Sequence, residues 1–168
     1  MLTSDSRPLA GPVIGSAWQC ARPGQPRPLD AGTLALVALP TSAFLARRYT
    51  RFLLDSCWGI SETTAETAEL LVSELVTNAV RFAGHPARML RYSERANMSL
   101  IWLSIRHFRE CLLIEVYDTN SNPPVRSSAD EHAENGRGLM LVDALSKEWS
   151  YFLPPGGGKV VYCCLETA

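Results

Sequence analysis

The stretch from Glu69 to Arg81 (ELLVSELVTNAVR) constrains the fold of this chain more than any other part of its sequence. Its apolar residues recur with helical periodicity and predict one buried side of a long helix. That side consists of Leu71, Val72, Leu75, Val76, Ala79 and Val80. Glu74 and Asn78 are four residues apart, so their side chains lie on the same face. A carboxylate and an amide in this position can hold a hydrated Mg²⁺ and orient a proton acceptor, although they also suit a solvated polar stripe.

The composition favours one soluble globular domain. The chain has 168 residues, of which 46% are hydrophobic and 20% charged. A net charge of -1 offers no broad field for nucleic acid or anionic lipid, so neither is an expected partner. No apolar run approaches the roughly 20 residues that cross a bilayer, and the N-terminus lacks a secretory pattern. We therefore expect a cytoplasmic protein without a membrane anchor.

The cysteine pattern favours free thiols over disulfides or a metal site. Five cysteines are present, no pair has CxxC spacing, and the three histidines are scattered along the chain. Four of the cysteines lie in apolar surroundings and are predicted to be buried thiols: Cys57, Cys111, Cys163 and Cys164.

The chain divides into a predicted flexible tail and one domain. Residues 1–30 hold five of the eleven prolines and show no periodicity, whereas residues 31–168 alternate between helical and strand patterns. The predicted elements are a strand at 34–38, a helix ending at Gly59, a helix from 62 to 83, a strand candidate at 87–92, strands at 100–106 and 112–118, a helix at 138–148 and a hairpin of strands 149–153 and 159–165. Short connections predict a mixed, mainly antiparallel sheet, and helices on one face would complete a two-layer α/β sandwich of the α+β class.

The helix before Gly59 has an apolar and a basic side. The residues predicted to face the core are Leu45, Tyr49, Phe52 and Leu53, and those predicted to face solvent are Arg47, Arg48, Arg51 and Asp55. Ser61 precedes the following helix and is predicted to cap its first turn.

Two weaker motifs follow the long helix. Asp118 comes directly after an apolar strand, where its carboxylate could accept a hydrogen bond from an exocyclic amine such as that of adenine, or could instead cap a turn. The sequence Gly136-Arg137-Gly138 follows a polar loop and opens a helix, where backbone N–H groups favour an anion. Arg137 could contact a terminal phosphate, but the same glycines also suit an ordinary helix start.

The order of these motifs resembles the N, G1 and G2 boxes of the histidine-kinase-like ATPases, the Bergerat-fold superfamily. The chain looks most like the small stand-alone bacterial members, the anti-sigma-factor serine/threonine kinases and their regulatory relatives. The phrases that carry the resemblance are Ser73 to Ala79 (SELVTNA), Asp118 before Pro123 and Pro124, Gly136 to Leu139 (GRGL), Trp149 and the Gly158-Lys159 hairpin. The resemblance covers about residues 34–165, and the sequence has neither a Walker loop nor a protein-kinase signature.

The resemblance implies a role for each motif. Asn78 would coordinate Mg²⁺, and Glu74 would be the catalytic general base that takes a proton from a serine or threonine hydroxyl. Asp118 would bind the adenine amine, directly or with a water. Gly136 and Gly138 would cradle the phosphates of ATP, and residues 123–136 would form a lid. Arg137 and Leu139 are also implied to bind the nucleotide. Few catalytic side chains are needed, because phosphoryl transfer depends mainly on positioning and charge neutralisation.

The implied activity is that of an ATP- and Mg²⁺-dependent serine/threonine kinase that regulates transcription. It would phosphorylate an anti-sigma antagonist protein and bind a sigma factor, and the resemblance also makes a homodimer an expectation. A nucleotide-gated binding switch that transfers no phosphate would use the same pocket. A degenerate domain that binds no nucleotide is the third hypothesis.

Overall fold

The computed structural model describes residues 27–83, 99–124 and 138–167. Five strands form one antiparallel sheet in the order β1-β2-β3-β5-β4. The strands are β1 (Asp30–Val37), β2 (Leu100–His107), β3 (Cys111–Asp118), β4 (Glu148–Phe152) and β5 (Lys159–Glu166). The helices are α1 (Ser42–Arg51), which continues into a π-helical segment (Phe52–Cys57), then α2 (Glu62–Ala83) and α3 (Gly138–Leu145). The α+β fold class predicted from the sequence is confirmed.

The core lies between the sheet and α2. The alternation predicted for the central hairpin is confirmed, because its inward-facing side chains are at most 1% exposed: Ile101, Leu103, Ile105, Leu112, Ile114 and Val116. From α2, Leu71, Val72, Leu75, Val76 and Ala79 are each at most 2% exposed, and Val80 packs against them half-buried. At the start of α2, the backbone N–H of Thr64 donates to Ser61 Oγ at 3.3 Å, which confirms the predicted cap.

The buried side of α1 differs from the prediction. The fully buried residues of this helix and its π-helical extension follow a four-residue spacing: Ser42, Ala46, Thr50 and Leu54. Leu45 and Phe52 are 50% and 57% exposed, so their predicted burial is wrong. Small side chains at Ala46 and Thr50 suit close contact with α2, which leaves the larger neighbours outside. The N–H of Trp58 donates to Leu53 O, which is the five-residue spacing of a π-helix, and Leu54 is the buried residue of this segment.

The face of the sheet opposite the helices carries a buried ion pair that the sequence did not indicate. Glu115 is 0% exposed, and its Oε2 accepts a hydrogen bond from Arg106 Nη2 at 2.7 Å. Burial raises the pKa of the Glu115 carboxyl, and the Arg106 charge opposes the rise. β3 is therefore buried on both of its faces.

The four cysteines among the described residues are free thiols, as predicted. Cys163 and Cys164 are buried in β5, and Cys111 is half-buried. Cys57 is exposed at the end of the π-helical segment, so its predicted burial is wrong. Four sequence predictions lie outside the described residues in whole or in part: most of the tail over 1–30, the strand at 87–92, the lid beyond residue 124 and the phosphate contact of Arg137. Within the described ranges, no helix has both the length and the apolar character needed to cross a membrane.

Candidate functional site

One stripe of α2 organises the candidate site. Glu74, Asn78 and Phe82 follow one another at four-residue intervals, so they lie along one side of the helix over roughly 12 Å. Glu74 and Asn78 are half-buried, and Phe82 is 36% exposed. The stripe borders the buried side of α2, and these side chains are partly exposed.

The first residue of α3 lies directly against Glu74. A Cβ built on Gly138 would be 2.5 Å from Glu74 Oε2, so no residue other than glycine fits there without displacing the carboxylate. The first four N–H groups of a helix have no partner within it, and its N-terminus favours negative charge. Glu74, the candidate general base, therefore lies beside a helix N-terminus, where anionic groups can bind. Leu139 is only 7% exposed, so its backbone N–H, not its side chain, is the group it can offer.

Asp118 ends β3 near the other end of the stripe. Its side chain is 1% exposed, and Oδ1 accepts hydrogen bonds from Lys159 Nζ at 2.9 Å and from the Asn120 N–H at 2.8 Å. Burial raises the pKa of the Asp118 carboxyl, and the bond and charge of Lys159 oppose that rise. The turn-capping role considered for Asp118 is thus present. Both bonds end on Oδ1, and Oδ2 takes part in neither of them.

Lys159 is the residue of this region that sequence reasoning missed. Its side chain is 1% exposed, and besides Asp118 it donates to the Asn120 backbone O at 3.1 Å. Its Nζ lies 5.6 Å from the centre of the Phe82 ring, within range of a cation–π contact. The only sequence signal was its place in a glycine-lysine hairpin, because the pairing of Asp118 with Lys159 joins residues 41 positions apart.

The turn after β3 connects this end of the site to α2 and β5. Asn120 Nδ2 donates to the Phe82 backbone O at 3.0 Å, and the Gly158 N–H donates to Ser121 Oγ at 3.0 Å. Gly158 has φ of 75°, and an added Cβ would lie 2.3 Å from the Asp118 backbone O. Only glycine combines this conformation with so close an approach, so the hairpin glycine shapes the surroundings of Asp118.

The structure therefore brings most of the predicted site residues to one region. Glu74 and Gly138 are in direct contact, Asn78 lies next along the stripe, and Asp118 lies beyond it near Phe82. Gly136 and Arg137 lie outside the described residues. The arrangement suits an elongated ligand with anionic groups at the start of α3 and an amine-bearing ring at Asp118.

The donor set also fits Mg²⁺. Among the described residues, no group of three or more His, Cys, Asp or Glu side chains could hold a metal ion. Mg²⁺ typically keeps several waters and takes one or two protein oxygens together with substrate phosphates, so it needs no such cluster. The amide oxygen of Asn78 on the half-buried stripe is a suitable ligand of that kind.

A comparison with protein families finds one match over most of the chain. The model of the histidine kinase-like ATPase domain matches residues 36–164. This range begins in β1, ends in β5 and includes every residue of the candidate site. No curated protein matches the chain.

Proposed function

Because the chain belongs to the histidine kinase-like ATPase domain family, we propose that it is an ATP- and Mg²⁺-dependent serine/threonine protein kinase of the anti-sigma-factor type. It would phosphorylate an anti-sigma antagonist protein and bind a sigma factor, and it would act as a homodimer. The observation that carries the proposal is the position of Glu74, whose carboxylate lies against the first residue of α3 and one helical turn from Asn78.

ATP would lie along the α2 stripe with its adenine at Asp118. The Oδ2 atom of Asp118 would accept a hydrogen bond from the 6-amino group, and Phe82, which is 36% exposed, would contact the base. The phosphates would lie at the start of α3, where backbone N–H groups of Gly138 and Leu139 are donors. Gly136 and Arg137 precede these residues in the chain and would extend the phosphate contacts.

Glu74 would act as the general base in phosphoryl transfer. Its carboxylate would accept the proton of the incoming serine or threonine hydroxyl as the oxygen attacks the γ-phosphorus and the bond to ADP breaks. Asn78 would hold Mg²⁺, which when bound would neutralise charge on the phosphates. Gly138 allows the base to lie next to the phosphate-binding end of α3, because it places no side chain between them.

A non-catalytic, nucleotide-gated switch is the second candidate. The observation in its favour is that Asp118, Lys159, Asn120 and Phe82 form a complete hydrogen-bonded group at the adenine end, which needs no contribution from Glu74. Such a protein would bind its partner differently with ATP, with ADP and without nucleotide, but it would not transfer phosphate.

Phosphate transfer from labelled ATP to candidate antagonist proteins distinguishes the two functions. We expect transfer by the unaltered protein and a loss of about 10²–10⁴-fold in Glu74→Gln, the usual contribution of a general base, with ATP binding retained. Glu66→Gln is a matched control, because Glu66 lies exposed two turns earlier on α2. ATP binding without any transfer would reject the kinase and favour the switch. Full transfer by Glu74→Gln would remove Glu74 from the mechanism.

A further inference from the structure

The Lys159 ammonium group is buried at the adenine end of the site and lies near three neighbouring groups. An ammonium has three N–H donors and no acceptor. Two of them bond to Asp118 Oδ1 and the Asn120 backbone O, and the Phe82 ring lies on a third side, 5.6 Å away at its centre. The group therefore joins the end of β3, the turn that follows it and the C-terminal part of α2.

The position of Lys159 decides which oxygen of Asp118 remains for a ligand. Lys159 and the Asn120 N–H both bind Oδ1, so the carboxylate cannot rotate to exchange its oxygens without breaking two hydrogen bonds. The bond from Gly158 N–H to Ser121 Oγ and the contact of Gly158 with the Asp118 backbone keep the turn in place. Oδ2 is thereby presented in a single orientation.

The neighbouring positive charge also decides what kind of hydrogen bond Asp118 can make. Burial favours the neutral form of its carboxyl, and the main opposing group is Lys159. An ionised carboxylate only accepts hydrogen bonds, whereas a protonated carboxyl can also donate one. A 6-amino purine offers a donor to Asp118, and a 6-oxo purine offers an acceptor, so the two forms of Asp118 select opposite bases.

We propose that Lys159 is a positioning residue that holds Asp118 as an acceptor with a fixed free oxygen, and that this pair sets a preference for 6-amino over 6-oxo purine nucleotides. Lys159 acts through Asp118 and does not itself contact the base. The inference rests on the proposed nucleotide site. It adds that base selectivity depends on the ion pair, not on Asp118 alone.

Titration calorimetry with Mg·ATP and Mg·ITP tests this inference, because the two nucleotides differ only in their purine base. ATP carries a 6-amino group, whereas ITP carries a 6-oxo group and a proton on N1. The variants are Lys159→Met, which removes the charge and the donors at similar length, and Lys159→Gln, which retains a neutral donor. Lys147→Met is the control, because Lys147 is an exposed lysine. It pairs at 2.7 Å with Glu166, which lies at the opposite end of β5 from Lys159. Thermal unfolding followed by tryptophan fluorescence establishes that each variant is folded.

The unaltered protein and Lys147→Met should bind ATP more tightly than ITP by about 10–100-fold, as expected for a hydrogen bond to a charged group. In Lys159→Met the ratio should fall to within about threefold of unity, with Lys159→Gln between the two. If Lys159→Met does not fold, the ratio of ATP affinity to ITP affinity in Lys159→Gln tests the inference instead. An unchanged ratio in a folded Lys159 variant would overturn the inference and leave the nucleotide site intact. Failure of the unaltered protein to bind either nucleotide would instead reject the proposed function.

Discussion

Gly138 is the residue at which packing and the proposed chemistry are most directly linked. Among the described residues, the three atoms nearest to an added methyl group all belong to Glu74, with Oε2 at 2.5 Å and Cδ at 3.6 Å. The end of a glutamate side chain can move aside, and alanine favours a helix over glycine. The stability of Gly138→Ala should therefore be unchanged or slightly raised, by up to about 1 kcal/mol.

Phosphate transfer should respond differently to Gly138→Ala, because the displaced carboxylate is the proposed general base. A shift of this size can cost about 10²-fold in rate. We expect transfer to fall by roughly 10–100-fold while the midpoint of thermal unfolding stays the same or rises. Wild-type transfer by a folded Gly138→Ala protein would show that the contact with Glu74 has no part in the reaction.

At the scale of elements, α1 shows how packing can override an apolar pattern. Leu54 is 0% exposed and Leu45 is 50% exposed, although both are leucines of the same helical segment. Leu54→Ala should lower the free energy of unfolding by about 2–5 kcal/mol, the usual cost of a cavity in the core. Leu45→Ala is the matched control and should change it by less than about 1 kcal/mol. Urea unfolding measures both, and a larger cost at Leu45 would contradict this orientation of α1.

Because Glu115 is buried in the central strand β3, we expect the stability of the protein to depend on pH. Burial raises the pKa of Glu115 above its ordinary value, so the folded state holds this proton more tightly than the unfolded state. The stability that results is present at acid pH and is lost as the pH rises from the ordinary carboxyl pKa through the raised one. Glu115→Gln cannot titrate, and Arg106 stays charged throughout.

The stability of the unaltered protein relative to Glu115→Gln should therefore fall as the pH rises from acid towards neutral. Free energies of unfolding of both proteins, measured by urea titration at a series of pH values, provide the comparison. The difference between glutamine and the protonated form of Glu115 adds an offset that does not vary with pH. A relative stability that increases over the same range would contradict the dominant effect of burial at Glu115.

For the molecule as a whole, the sequence predicted what depends on local patterns. The periodicity of α2 and the alternation of β2 and β3 each follow from side chains that are neighbours in sequence, and both are confirmed. The side of α1 that is buried depends on how closely α2 approaches, and the apolar residues alone indicated the wrong side. Lys159 could not be assigned because its partner lies 41 residues away, in a strand whose register the sequence does not specify.

The candidate site shows the same division. Glu74 and Asn78 could be predicted as site residues because one helix holds both, and the resemblance implied that the glycines at the start of α3 belong to the same site. The structure brings Glu74 and Gly138 into contact. The ion pair at Asp118 is a tertiary feature, and so is the buried Glu115 on the opposite face of the sheet.

Calorimetric titration of ATP, with and without Mg²⁺, tests the central claim most directly. The proteins to compare are the unaltered chain, Asn78→Ala, Asp118→Ala and the control Thr77→Ala, whose residue is exposed beside Asn78 on α2. We predict Mg²⁺-dependent binding by the unaltered protein and the control, and a loss of at least about tenfold in the other two, as expected when a hydrogen bond to a charged group or a metal ligand is removed. No binding by the unaltered protein, or equal binding by all four, would contradict a nucleotide site along this stripe of α2.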